Sequence, residues 1–320
     1  MNYVLRRFLH GALLLIGISI ASFALAALAP GDFYSGLQFD PLISPEAVNA
    51  MRSQHQLDRP LAERYVAWAK SALRGEFGYS LAYHTAAGPL IRQRNPATLL
   101  LTITATLLAW MIALPAGIYH AIRRGRWQDH AFELLGAVLL AIPELLLAIA
   151  LLAWAVETGF LPAGGMHAPG WESLGILSRW CDTLAHLVIP VTVLIAGMTP
   201  ILERHVRSAV AGAIDTPFTL AARTHGIPHT RILYRHVLPA ALHPLIALFG
   251  LSLGALLSAS LLVEVLVGWP GLGPLFLEAV LARDFAIVLG VVIVSAATLI
   301  TGNLVSDLLL YRADPRIRIP

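Results

Sequence analysis

The chain is 320 residues long, 57% of them hydrophobic and only 13% charged, with a formal net charge of +3. Soluble domains carry roughly a quarter charged residues, so this composition, with a mean hydropathy of +0.72, excludes an ordinary soluble enzyme and a nucleic-acid-binding module, which needs a clustered basic face. The single cysteine, Cys181, excludes an intramolecular disulfide framework and any multi-cysteine metal site.

The apolar residues gather into six runs, at 9–29, 98–120, 132–156, 184–202, 241–263 and 286–309. Each is close to the roughly 20 residues that cross about 30 Å of hydrocarbon as helix. The reading is an all-α polytopic membrane protein with six transmembrane helices. Arg6-Arg7 precede the first run and Ala27-Leu28-Ala29 end it, a pattern shared with cleavable secretory signals. The length of the run and the membranous remainder favour an anchor that is kept.

Residues 30–97 form the sizeable non-membrane segment. Ser44-Pro45-Glu46 has the form of a helix N-cap followed by proline, opening a helix to about Gln54. A second helical pattern runs from Pro60 to Leu73, with Leu61, Tyr65, Trp68 and Ala69 on one side, and ends at Gly75. The segment is read as a helical cap over the bundle, or more sharply as a contact surface for an extracytoplasmic protein. In the third run Glu144 follows Pro143. A carboxylate in a membrane is costly and is by default a functional hypothesis, and both pathway lining and structural pairing stay open for it.

Between the fourth and fifth runs lies the polar interruption Glu203–Pro239, and a polar loop of this length is more often functional than connective. Its spacing predicts a short helix carrying Ala221 and Ala222, a sharp turn at Gly226, a second short helix and re-entry into the bilayer at Leu238-Pro239. Glycine adopts positive φ at a helix C-terminus without strain, and Pro228 blocks simple continuation. Ala221 and Ala222 leave a smooth surface against which another protein packs closely. In the fifth run Gly250, Gly254 and Ser258 recur every four residues, with Ser252 and Ser260 nearby, a spacing that lets helices approach closely in lipid. Asn303 and Asp307 are the polar groups of the last run, Asp307 being read as an interface or helix-end residue. Pro115, Pro143, Pro190, Pro200 and Pro244 are expected to kink or loosen their helices.

Arginines set the orientation. Arg6 and Arg7 precede the first run, Arg123, Arg124 and Arg126 follow the second, Arg204, Arg207, Arg223, Arg231 and Arg235 follow the fourth, and Arg312, Arg316 and Arg318 follow the sixth. By the positive-inside rule both termini and the 203–239 segment are cytoplasmic.

Catalytic signatures are missing from the sequence. There is no G-x4-G-K-[ST], and the sole lysine, Lys70, lies in the long outer loop, so the chain does not bind ATP through a P-loop. His225, His229 and His236 join two different short helices, which argues against a metal site; His55, His84, His167 and His186 lie on the outer side, within reach of a metal or chelate substrate, and are read first as solvated loop residues. No catalytic residue and no metal ligand is assigned.

The series Ala221-Ala222, Gly226, Leu238-Pro239 resembles the cytoplasmic "EAA" loop of binding-protein-dependent ABC transporter permeases. Leu220 stands where that motif has its leading Glu and His236 where many members carry Ile, both departures resembling the dipeptide/oligopeptide/nickel branch. Leu57–Pro60, Gly75–Ser80, Trp269–Gly273, Arg283–Phe285 and Asp314–Arg318 match that branch in order along the chain. The resemblance implies a type I ABC importer permease fold and an inner-membrane location. It implies residues 1–97 as the first helix plus outer segment, 98–312 as the permease core, and 313–320 as a cytoplasmic tail. Its implied partners are a second homologous permease, two cytoplasmic ATPases that carry ATP and Mg, and an extracytoplasmic solute-binding protein. Asp215, Ala221, Ala222, Gly226, Leu238 and Pro239 would form the ATPase-coupling loop; Glu144, Gly250, Gly254, Ser258 and Asn303 would line the path or pack helices. The cargo would be peptides, nickel chelates or glutathione. A passive channel and a polytopic membrane enzyme are the readings from other classes.

Overall fold

Hydrocarbon-length apolar runs satisfy their backbone only as helix or closed barrel, and here they are helical. The computed structural model describes residues 3–28 and 59–313, with isolated positions at 44, 46 and 50. The helix expected after Ser44 and the Asp314–Arg318 tail therefore lie outside the described residues, apart from those single positions. The elements are α1 (Tyr3–Leu28), α2 (Leu61–Ala72), a hairpin of β1 (Tyr79–Ser80) and β2 (Thr85–Ala86), α3 (Ala87–Ile122), α4 (Trp127–Ala141), α5 (Glu144–Thr158), α6 (Ile176–Ile214), α7 (Pro217–Thr224), α8 (His229–Ile232), a π-helical turn (Leu233–Val237), α9 (Leu238–Val267), α10 (Leu272–Leu281) and α11 (Phe285–Ala313). In the hairpin Tyr79 pairs with Ala86 and Ser80 with Thr85, antiparallel.

Among the described residues, five stretches are long and apolar enough to cross a membrane, at Val4–Leu28, Ala87–Ile122, Ile176–Ile214, His229–Val267 and Phe285–Arg312. The third expected span is instead two helices of 15 residues each, α4 and α5, bent by 89°. Pro143 lacks an N–H and crowds the residue before it, so Ile142 is held extended at φ −85°, ψ 118°. The other interior prolines leave their helices unbroken.

Helices α3 and α6 also run well beyond the apolar windows, to 36 and 39 residues. At 1.5 Å per residue α3 is about 54 Å long; its polar turn at Arg92–Asn95 continues the helix outside the hydrocarbon. These two form the most extensive helix pair of the fold. A Cβ on Gly117 would sit 2.6 Å from that of Val206, so this crossing requires glycine.

Among the described residues, three larger apolar cores follow one another along the bundle, and a small fourth, Ala109, Ala113 and Leu202, joins two of them. Leu101, Ala105, Ala148, Val193, Leu194, Leu256 and Trp269 fill the centre. Ala121, Val206, Val210, Ala222, Ile232 and Val237 fill the end that bears the 215–237 segment. Phe77, Ile91, Leu272, Leu275 and Ile287 fill the opposite end. Helix α1 lies on α11, where Arg7 meets Asp307 at 3.0 Å. Phe23 of α1 packs against Tyr65 and Trp68 of α2, with ring centroids 5.5 and 5.7 Å away.

Candidate functional site

The segment after α6 is built around one turn. Thr216 and Thr219 both donate their hydroxyls to the Ala213 carbonyl, at 2.9 and 3.0 Å, and so satisfy the end of α6. Pro217 then opens α7, where its missing N–H costs nothing. At the other end Gly226 takes φ +73°. Its N–H donates to the Arg223 carbonyl at 2.9 Å, and the Ile227 N–H reaches back to the Ala222 carbonyl at 3.3 Å. This double bond pattern with a left-handed glycine is a Schellman C-cap, and Ile227 completes it by packing into the adjoining core. A Cβ on Gly226 would meet nothing, so the requirement there is conformational and not steric.

The structure divides the two alanines. Ala221 is exposed, whereas Ala222 is buried in the chain's own core with Val206, Val210 and Ile232. The surface expected from both is therefore supplied by Ala221 with its exposed neighbours Phe218, Leu220 and Arg223, because Thr219 and Ala222, three residues apart, face inward. His236 packs edge-on against Phe218 at 5.1 Å. The second short helix is also not separate: α8, the π-helical turn and α9 form one continuous stretch. Pro239 has no N–H and its ring crowds the carbonyl four residues back, and a π turn ending just before it absorbs the mismatch. Leu238 is half-buried in the same core, Pro239 is exposed, and Asp215 follows α6 with its carboxylate 3.6 Å from Arg124.

Helix α9 carries two polar-small faces. Gly250 and Gly254 turn toward α11, where a Cβ would lie 2.6 Å from the Asn303 Oδ1 and 2.1 Å from the Leu299 Cδ1, respectively. Gly250, Gly254 and Asn303 are thus brought together, while Ser258 is exposed and stands outside that seam. Ser252 and Ser260 face α3 instead: the Trp110 Nε1–H donates to the Ser252 hydroxyl at 2.9 Å, and the Thr102 hydroxyl donates to that of Ser260 at 3.2 Å. Glu144 is the first residue of α5, half-buried at the bend, with its carboxylate laid over Gly197 of α6.

A second carboxylate is more deeply placed than Glu144. Glu264 is fully buried and accepts the Gly273 N–H at 2.7 Å; beside it the Leu272 N–H donates to the Thr98 hydroxyl at 2.8 Å and the Trp269 Nε1–H to the Ala97 carbonyl at 2.9 Å. A Cβ on Gly271 would lie 2.3 Å from the Glu264 carboxylate, so Trp269–Gly273 closes tightly over it. Glu264 is not among the site residues expected from the sequence, although a lone acid at the end of an apolar run is a visible sign. Nearby, Asp284 accepts the Ser80 hydroxyl at 2.6 Å and the Ala82 N–H at 3.1 Å. The Gly75–Ser80, Trp269–Gly273 and Arg283–Phe285 stretches thus meet at one end of the bundle. There the Tyr83 hydroxyl donates to Glu278, and burial first, then this bond, push it up to about 12.

On the same side His186 proves to be a buried residue of α6, not a loop residue. Its Nδ1 and that of His167 lie 3.5 and 3.8 Å from the Asp182 carboxylate. Burial lowers His167 below its ordinary value against the opposing pull of Asp182.

Residues 113–319 match the family described as binding-protein-dependent transport system inner membrane component. The oligopeptide transport system permease protein AppB of Bacillus subtilis (strain 168) is 33% identical over 317 residues, 98% of each chain. The glutathione transport system permease protein GsiC of Escherichia coli (strain K12) is 29% identical over 319 residues, 99% of each. Two inward-facing structures of the MetNI methionine ABC transporter share the fold, with TM-scores of 0.52 and 0.55 at 20% and 19% identity, covering 70% of this chain and 96% of theirs. A family match over most of the chain and a relative aligned along nearly its whole length place this protein among the binding-protein-dependent transport system inner membrane components, as a permease subunit of an ABC importer.

Proposed function

We propose that this permease carries peptides or similar small solutes inward, paired with a second permease chain, and that residues 215–239 transmit the work of two cytoplasmic ATPases. The observation that carries the coupling role is the capped α7 helix. Its outer face, with Phe218, Leu220, Ala221 and Arg223, is exposed, while its inner face shares a core with α6 and with the start of α9. A push on α7 is therefore delivered to two membrane-length helices as a rigid-body shift. ATP and Mg belong to the ATPase partners, and this chain holds neither. Both termini and α7 face the cytoplasm, α1 stays as an anchor, and the end bearing α2 and the hairpin faces outward toward a solute-binding protein.

Peptides are favoured as cargo because the 33%-identical relative is named an oligopeptide permease. Glutathione is the second reading, from the 29%-identical relative. Glu144, exposed in part at the α4–α5 bend, is the side chain we assign to the path.

Gly226→Val tests the lever. Valine at φ +73° is strained by about 1–3 kcal/mol, which opens the cap without touching a span. Membrane insertion is expected to be unchanged, and ATP-dependent uptake by the reconstituted complex to fall at least about tenfold, the equivalent of about 1.4 kcal/mol. Ala221→Cys is expected to cross-link to an ATPase subunit. Full uptake by the valine variant together with no cross-link refutes the coupling role.

A further inference from the structure

Where α4 swings away at the Pro143 bend, it leaves a slot against α3 and α6 of about 270 Å³. Small residues line it, Ala116, Gly136 and Ala196, and a Cβ on Gly136 would lie 3.2 Å from that of Pro200. Phe132, Leu135 and Leu139 complete the apolar wall. At the end near α7 the slot adjoins a second hollow of about 390 Å³, lined by Arg124, Arg204 and Arg207 against one acid, Asp215. Arg204 and Arg207 line both.

Of the acids around the mouth, Asp129 and Glu203 are already engaged, and Glu133 is exposed. Asp129 is buried, 2.6 Å from Arg207, and also accepts the Gly125 N–H. Glu203 is 2.7 Å from His120, and Glu133 lies 4.0 Å from Arg207. The Arg124–Asp215 pair is exposed at 3.6 Å, where an ion pair contributes little. Arg204 is exposed and has no carboxylate partner among the described residues.

An apolar slot that ends in a group of arginines, at the level where the spans leave the apolar run, matches one kind of membrane molecule. We infer that the two hollows together hold a phospholipid with an anionic headgroup, its acyl chain between α4 and α6 and its phosphate between Arg124 and Arg204. Basic pockets between transmembrane helices bind such headgroups by charge, while the tail is supplied by the bilayer. The inference rests on membership of the membrane permease family and not on cargo or on the coupling role.

The test uses the assembled transporter, purified from vesicles containing equal amounts of phosphatidylglycerol and phosphatidylcholine, with retained lipid counted by native mass spectrometry. Phosphatidylglycerol is expected to be retained preferentially. Arg124→Gln with Arg204→Gln, both at exposed positions, is expected to reduce that preference by about fivefold per arginine, which corresponds to about 1 kcal/mol each. A phosphatidylglycerol with a photoreactive acyl chain is expected to label the Phe132–Leu139 stretch, and inorganic phosphate is expected not to compete. Equal retention of the two lipids, or an undiminished preference in the double variant, overturns the inference. So does cross-linking of Leu135→Cys to a second permease chain in place of lipid labelling, which would make the slot a protein interface. No readout depends on uptake, so failure here leaves the transport reading standing.

Discussion

Ala221 and Ala222 carry the same side chain and face opposite ways along α7, one exposed and one in the core with Val210 and Ile232. The same substitution therefore has two different outcomes. Ala222→Glu puts a carboxylate among apolar side chains with no partner, a change worth several kcal/mol, and is expected to lower the thermal unfolding midpoint of the detergent-solubilised permease. Ala221→Glu is expected to leave that midpoint within about a degree, since exposed substitutions cost at most about 0.5 kcal/mol, yet to reduce ATP-dependent uptake by placing a charge on the docking face. Equal midpoints for the two variants would contradict the orientation of α7. Adjacent residues on a helix are about 100° apart, so a motif written as a string assigns both alanines to one surface where the folded helix assigns them to two.

At the scale of elements, α9 packs on two neighbours by different means. Toward α3 it uses Ser252 and Ser260, which exchange hydrogen bonds with Trp110 and Thr102. Toward α11 it uses absence of side chain, at Gly250 and Gly254. A residue larger than glycine at 254 must displace Leu299, whose Cδ1 lies 2.1 Å from the position a Cβ would take. Overpacking of this kind costs about 1–3 kcal/mol. Gly254→Val is expected to destabilise the permease by that amount, and Leu299→Ala added to it is expected to recover at least half. A double-mutant cycle on thermal unfolding measures the coupling, and strict additivity would mean that the seam is not formed. The α4–α5 bend is the other decision made at this scale. Two helices of 15 residues are each about 22 Å long, shorter than the hydrocarbon, so the bent pair has the form of a broken span or a re-entrant loop.

For the whole molecule the arginine distribution implies a single orientation. Arg6, Arg123, Arg204 and Arg312 lie near one end of the bundle; the hairpin and the Trp269–Gly273 turn lie at the other. Reporter fusions at Gly75 and His225 are expected to give opposite sidedness, with His225 cytoplasmic. The same sidedness at both sites would mean that an odd number of crossings is missing between them. Large apolar side chains stay exposed along α1 and α4, among them Leu13, Leu14, Leu134 and Leu135. In water that surface would aggregate; a bilayer accommodates it.

Composition and periodicity alone determined that this is a helical membrane protein. They also located the six apolar segments and the Gly226 turn, but not which of the five prolines breaks its helix. The segments and the turn are local properties: hydropathy over 20 residues and glycine at a helix end. The tertiary structure decided what depends on neighbours distant in the chain. It buried Ala222 and His186, left Ser258 outside the seam, and joined α8 to α9 through a π turn. It also brought Thr98 to Glu264 and Leu272 across more than half of the sequence. Side chains in a bilayer gain no burial energy against lipid from being apolar, so which face of a span turns inward is set by close packing and hydrogen bonds. Those are pairwise terms, and a single helix read in isolation does not contain its partner.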